Sequence, residues 1–207
     1  TDELIISPIS AAATGDFAAV LAMASSIYAD IDKDFSQKMK TAAVKAWNFL
    51  EANPAMAGFV NPEGIITGEY GDIHDSDERY WAAVELYKLT GNKKYHDAIV
   101  RFTQNSIPIG MGWQAVGDYG TIAYLTMEKS LQDPALVKKM QTHILDGAKN
   151  LMAYIEKDGY KISMGSVYPW GSNMTVANNA MLLLFAGMTS STQEYYQQAK
   201  DHLHYLF

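Results

Sequence analysis

Apolar residues that recur at three- and four-residue steps, broken at four short capped joints, limit this chain more than any other feature. Phe17, Val20, Leu21 and Ala24 mark a first helix, and Met39, Ala43, Trp47 and Leu50 a second. Trp81, Val84 and Leu86 with Tyr87 mark a third, and Tyr95, Ala98, Ile99 and Phe102 a fourth. Further helices are expected over 118–129, 134–157, 176–188 and 192–206. No segment sustains the alternation of a strand, so the fold class is all-α.

The joints are "ADIDKDF" (29–35), "LTGNKKY" (89–95), "SLQDPAL" (130–136) and "MTSSTQEY" (188–195). Each places Asp, Asn or Ser where it can cap the next helix, with an apolar or aromatic residue a few positions on. They read as tight antiparallel turns joining helices one to two, three to four, five to six and seven to eight. The remaining connections, 53–75, 106–117 and 158–175, are long and rich in Gly, Pro and aromatics. If the short turns lie at one end of the helices, the long loops lie at the other, and long loops in a compact domain usually carry function. Uniform interaction repeats fit poorly with spacings of ~40 and ~60 residues; a toroid of helix hairpins fits better.

A chain of 207 residues, 48% of them hydrophobic, can bury one substantial core, and a single domain over 1–207 is expected. The net charge of −7 is spread over both halves, with no dense run of Lys and Arg to follow a phosphate backbone, so nucleic acid is not expected as a partner. With no Cys there is no disulfide, thiolate metal site or thiol nucleophile. "AMLLLFAGM" (180–188) is too short to span a bilayer, so no membrane is expected as a partner. "TDELIISPIS" lacks the basic start and apolar centre of a signal peptide. The helical "EYYQQAKDHLHYLF" reaches Phe207 without a Gly or Asn cap, which suggests a piece of something longer.

The polar chemistry concentrates in "GDIHDSDERYWAAVELYKLTG" (71–91), where Asp72, His74, Asp75, Asp77 and Glu78 crowd the start of the third helix. Three readings are open. Carboxylates in a first helical turn interact with the positive end of the helix dipole, at roughly 0.3–1 kcal/mol each. A general acid/base pair is the second, although acids this close to solvent are expected to titrate normally. A Ca²⁺ site is the third, since oxygen-rich clusters with carbonyls from a Gly-containing loop suit that ion, but the spacing is not that of an EF-hand. Trp113 in "GMGWQAVGDYG", and Tyr168 and Trp170 in "VYPWGSN", could stack on sugar rings, with Ser172 and Asn173 as polar neighbours, or simply pin their loops. His96, His143, His202 and His204 lack paired carboxylates at ligand spacing and are expected to face solvent. Met39, Met140 and Met152 read as core filler, and Gly64, Gly68 and Gly71 do not form a phosphate loop.

"SAAATGDFAAVLAMASSIY", "GEYGDIHDSDERYWAAVELYKLTGNKKY", "MGWQAVGDYGTIAYL" and "YPWGSNMTVANNAMLLL" together resemble, in order and spacing, the middle of family 9 glycoside hydrolases. These are mainly endo-β-1,4-glucanases, built on an (α/α)6 barrel. The resemblance implies about eight of twelve barrel helices, an inverting β-glucan hydrolase, and secretion. It implies a structural calcium ion held by Asp77 and Glu78, with main-chain carbonyls around Asp72 and His74 and a further Asp. For that Asp the chain has Gln114 and Ala115 after Trp113, and Asp118 is the nearest carboxylate. It also implies a glucan or cello-oligosaccharide cleft lined by the Trp170-Gly171 segment, where Met174 stands near an Arg of some members. The family's Asp-x-Gly-Asp motif and its late general-acid Glu, preceded by a His-Arg motif, have no match, so no catalytic residue is expected in this chain. Its open flanks would be covered by the remaining barrel segments or by a second copy.

Overall fold

The computed structural model describes residues 4–56, 59–66, 68 and 71–207. Among them are eight α-helices and no strand: α1 (Ala11–Tyr28), α2 (Lys33–Ala52), α3 (Ser76–Thr90), α4 (Lys93–Phe102), α5 (Gly117–Thr126), α6 (Pro134–Ile155), α7 (Ser172–Ser190) and α8 (Gln193–Leu206). They fall into two compact units, Thr1–Leu131 and Gln132–Phe207.

Three joints are capped as expected. Asp32 accepts from Phe35 N at 2.9 Å, Asn92 from Lys94 N at 3.1 Å, and Asp133 from Ala135 N at 2.7 Å, each satisfying an orphan amide of a first turn. Tyr28 and Phe35 clasp the first turn edge to face at 4.8 Å. The fourth joint departs from expectation. Thr192 makes no side-chain cap, and Ser191 turns the chain in the left-handed region instead (φ 56°). The α5–α6 joint holds a 3-10 turn, Lys129–Leu131, because Met127 leaves the helix with an extended backbone.

In the first unit α1 packs on both α2 and α3, and α3 on α4 and α5. The face α1 buries is made of Ala11, Ala12, Gly15, Ala18, Ala19, Ala22 and Ser25, while Phe17 and Val20 stay half-exposed. Periodicity locates the helix axis; the small side chains decide which face goes in, because they let backbones approach closely. A Cβ on Gly15 would lie 2.5 Å from Glu78 Cβ, and one on Gly120 2.8 Å from the Tyr80 ring, so α1 and α5 both press on the start of α3. By length and composition α1 could cross a membrane, but it is built into this helical packing. Below it Leu50, Tyr80, Tyr95, Ile99 and Tyr124 are fully buried, with Trp47 edge-on to Tyr95 at 5.5 Å.

In the second unit α7 packs on α6 and on α8 around Met140, Ile144, Ile155, Ile162 and Leu183. Helix α7 begins at Ser172, four residues earlier than periodicity suggests, so Ser172 and Asn173 sit in its first turn rather than in a loop. The cause is Gly171, whose left-handed backbone (φ 78°) starts the helix directly after Trp170.

Candidate functional site

The start of α3 is where most of the polar side chains singled out in the sequence come together. Asp75 occupies the N-cap but does not cap; its carboxylate takes Arg79 Nε at 2.9 Å. The other guanidinium nitrogens of Arg79 reach back to the end of α2, donating to Leu50 O at 2.7 Å and Asn53 O at 2.8 Å. A buried cation thus satisfies two carbonyls at a helix C-terminus, where the dipole favours positive charge. Arg79 was not picked out in the sequence, although the Asp75–Arg79 spacing of four on a helix is the signal that could have found it.

The next two acids are not solvated, and Glu78 departs from the expectation that it would titrate normally. Asp77 is buried, and Glu78 is only 1% exposed. Burial, then the charges of Asp77 and Asp72, push the Glu78 carboxyl up to about 9, and its Oε2 has no hydrogen-bond partner. Asp16 on α1 joins them. Burial and the charges of Asp77 and Asp72 raise it to about 6, and its Oδ1 is also buried without a partner. Asp16 was missed in the sequence, where it is the only charged residue of an otherwise uncharged 18-residue helix.

The same acids organise the loop that carries Trp113. Asp77 Oδ2 accepts from Val116 N at 2.9 Å, and Asp118 Oδ2 from Gly110 N at 2.8 Å. Gly112 N donates to Ala115 O at 2.7 Å, closing a turn that presents Trp113 56% exposed. Gln114 Nε2 donates to Gly71 O at 3.1 Å and so ties this loop to the one before α3. Between the two loops lies a cleft of ≈ 340 Å³ floored by Asp72, His74, Asp77 and Gln114. Asp72 Oδ1 accepts from His74 N at 3.3 Å, a tight local turn. Among the described residues no three His, Asp or Glu side chains are grouped so as to hold a metal ion.

In the second unit the 158–171 segment carries the other aromatic candidates. Tyr168 is 47% exposed and Trp170 96%, so neither pins its loop to a core. Ser172 is half-buried and Asn173 exposed, one turn along α7. His202, expected to face solvent, is fully buried and hydrogen-bonded to this segment. His96 packs instead against the Tyr87 ring at 5.1 Å.

Comparison with known proteins agrees with this geometry. The profile of Glycosyl hydrolase family 9 matches residues 4–207. Endoglucanase D of Acetivibrio thermocellus is 35% identical over the whole of this chain, and the match spans 33% of that enzyme. A Butyrivibrio fibrisolvens cellodextrinase is 28% identical over 99% of the chain and 40% of its own length. The chain therefore spans about a third of the length of the Endoglucanase D sequences it matches. Among solved structures, a metagenome-derived family 9 endoglucanase superposes with a TM-score of 0.86 at 35% identity, covering 94% of this chain and 36% of that one. AaCel9A, solved with cellobiose-like isofagomine, gives 0.86 at 32% identity over 96% and 38%. An all-helical chain of paired helices, with α3 opened by buried acids and aromatic loops beside it, is matched end to end by one profile. It belongs to glycosyl hydrolase family 9, whose (α/α)6 barrel supplies its helix hairpins.

Proposed function

We propose that this chain is part of a secreted β-1,4-glucan hydrolase, supplying one wall of a glucan cleft and a calcium site but not the catalytic carboxylates. The observation that carries the reading is Trp170. A 96% exposed indole, held beside Tyr168 just ahead of a helix, contributes nothing to a core and offers an apolar face to the axial C–H face of a glucose ring. Asn173 and Ser172 stand in the first turn of α7 for hydroxyl groups, and Trp113, in its own unit, is a second exposed indole able to stack on a sugar. The relatives' names, endoglucanase and cellodextrinase, point to the substrate class.

The calcium reading rests on donor chemistry. Two adjacent buried carboxylates, one with an orphan oxygen and a strongly raised affinity for protons, are an uncompensated negative site that a hard cation would neutralise. Asp77 and Glu78 would hold it with main-chain oxygens around Asp72 and His74; Asp118 would join from the first turn of α5. The ion would supply positive charge that holds the two loops at the mouth of α3, a structural role.

The catalytic part of the reading follows from accessibility. Inversion needs two carboxyl groups roughly 6.5–9.5 Å apart on either side of the scissile bond. Glu78, whose proton affinity is strongly raised, is closed off from any substrate. The activity of the whole protein belongs with segments beyond these residues. Those segments would also cover the apolar groove of ≈ 670 Å³ along α1 and α2, lined by Pro8, Ile9, Phe17, Phe49 and Phe59.

Titrating cellohexaose into the chain while following tryptophan fluorescence tests the reading. Saturable binding that Trp170→Ala weakens at least several-fold is expected. Identical isotherms for both proteins would remove the arch from the cleft.

A further inference from the structure

His202 is buried with both ring nitrogens engaged, and both engagements matter to the segment that carries Tyr168 and Trp170. His202 Nδ1 lies 2.8 Å from the Gln198 carbonyl oxygen, one turn back on α8, and must carry the proton to donate to it. That leaves Nε2 as an acceptor. It takes Ser163 N–H at 3.0 Å and lies 2.7 Å from Ser163 Oγ, which in turn accepts from Asn179 Nδ2 at 2.8 Å. One ring therefore ties α8 to the middle of the connecting segment, and that segment to α7. Ile162, just before Ser163, is fully buried, and the Asp158 carboxylate turns the chain toward it by accepting from Tyr160 N at 2.8 Å and Ile162 N at 3.3 Å.

Beyond Ser163 the chain lifts off. Residues 164–171 form an arch whose far end is fixed where Ser172 N donates to Pro169 O at 3.0 Å and α7 begins. Within it Gly165 takes a left-handed backbone (φ 61°) against the Tyr154 ring, and Val167, Tyr168 and Trp170 face outward. An arch with no core side chain of its own keeps its shape only through its two feet, and Ser163 is the near one.

We propose that His202, acting through Ser163 and Asn179, is a positioning residue that holds the aromatic arch in its glucan-receptive shape. The proposal rests on the glucan-binding reading of Tyr168 and Trp170. It does not make His202 a binding or catalytic residue, because the ring is closed off beneath the segment it holds.

Hydrogen–deuterium exchange of the peptide covering 162–171, together with cellohexaose affinity, tests it in the full chain. His202→Leu keeps the bulk and removes both hydrogen bonds; His202→Gln restores one acceptor and one donor. With Leu, exchange in the arch should quicken about tenfold, the scale of one lost buried hydrogen-bond pair, while peptides of α1–α5 keep their rates. Affinity should fall with it, and both should return toward wild type with Gln. A packing role alone would be kept by Leu and would not distinguish Gln from it. If His202→Leu does not fold, Ser163→Ala, which keeps the N–H to Nε2 and deletes the link to Asn179, should give a smaller rise confined to the same peptide. Arch exchange unchanged in the substituted chains, or equally fast with Gln and Leu, would overturn the proposal. If the wild-type chain binds no cellohexaose, the glucan reading falls, and the exchange measurement still decides whether His202 holds the arch.

Discussion

The mouth of α3 and the aromatic arch before α7 are both loop-to-helix entries of this family 9 chain, yet they are built in opposite ways. At α3 Asp77, Glu78, Arg79 and Asp118 are buried: Arg79 locks the end of α2, Asp77 and Asp118 hold the Trp113 loop, and Asp16 and Glu78 each leave one oxygen without a partner. At the arch the working side chains are bare, and a single buried imidazole stands behind them. The difference shows where each kind of task can be placed. A charge cluster gains strength from exclusion of water, while a stacking platform must keep its face open to ligand.

The sharpest way to break the contrast is at Arg79. Arg79→Met leaves Asp75 and the Leu50 and Asn53 carbonyls without their partner, and loss of one member of a buried ion pair costs about 3–5 kcal/mol. Urea unfolding should show a loss of that size, whereas Trp170→Ala, at a fully exposed ring, should leave the midpoint nearly unmoved. Comparable losses at the two positions would mean that the arch is no less structural than the mouth.

Gly15→Ala probes the same packing from α1. The added methyl would meet Glu78 Cβ at 2.5 Å and its backbone carbon at 3.0 Å, so α1 must move, at about 1–3 kcal/mol. The gain in helix propensity, up to about 1 kcal/mol, does not offset that. A stabilised Gly15→Ala protein in thermal melts would contradict the close approach of α1 and α3.

How much of this was legible in the sequence follows the same divide. Helix pairing and three of the four caps could be read from local chemistry, because an Asp or Asn that accepts from an amide two or three residues on needs nothing else from the fold. Face selection could not. Phe17 and Val20 have the periodicity of a buried stripe, and the alanines went in because α3 comes too close for anything larger. Asp77 and Glu78 were identified as a pair, but their burial depends on α1 and the Trp113 loop, which are distant in sequence. His202 looked like a surface residue for the same reason: its partner Ser163, and Asn179 bonded to that serine, lie 39 and 23 positions away.

The arch offers a pH test opposite in sign to the mouth, where the raised carboxyls of Glu78 and Asp16 cost stability as pH rises. Burial holds the His202 imidazole below its ordinary 6.5, although Asp201 beside it and Asp158 on the connecting segment favour its charged form; α7 contributes no titratable side chain. The unfolded chain therefore binds the proton more readily, and the stability that His202 supplies is complete above about 6.5 and is lost as pH falls from there toward the folded value. Against His202→Gln, wild type should lose stability on acidification through that window. Parallel curves would show that the ring is not held neutral. The smallest effect is expected at a simple cap, where Asp32→Ala should cost about 1 kcal/mol without touching either entry.

The claim that unites these parts is that the chain supplies cleft wall and buried charge but no chemistry of its own. Release of reducing sugar from carboxymethyl-cellulose by the purified 207-residue chain, in millimolar calcium, measures it directly. The expected rate is that of buffer alone. Sustained hydrolysis, abolished by Glu78→Gln and unaffected by chelator, would contradict the account and make the buried Glu78 a catalytic acid instead of a cation ligand.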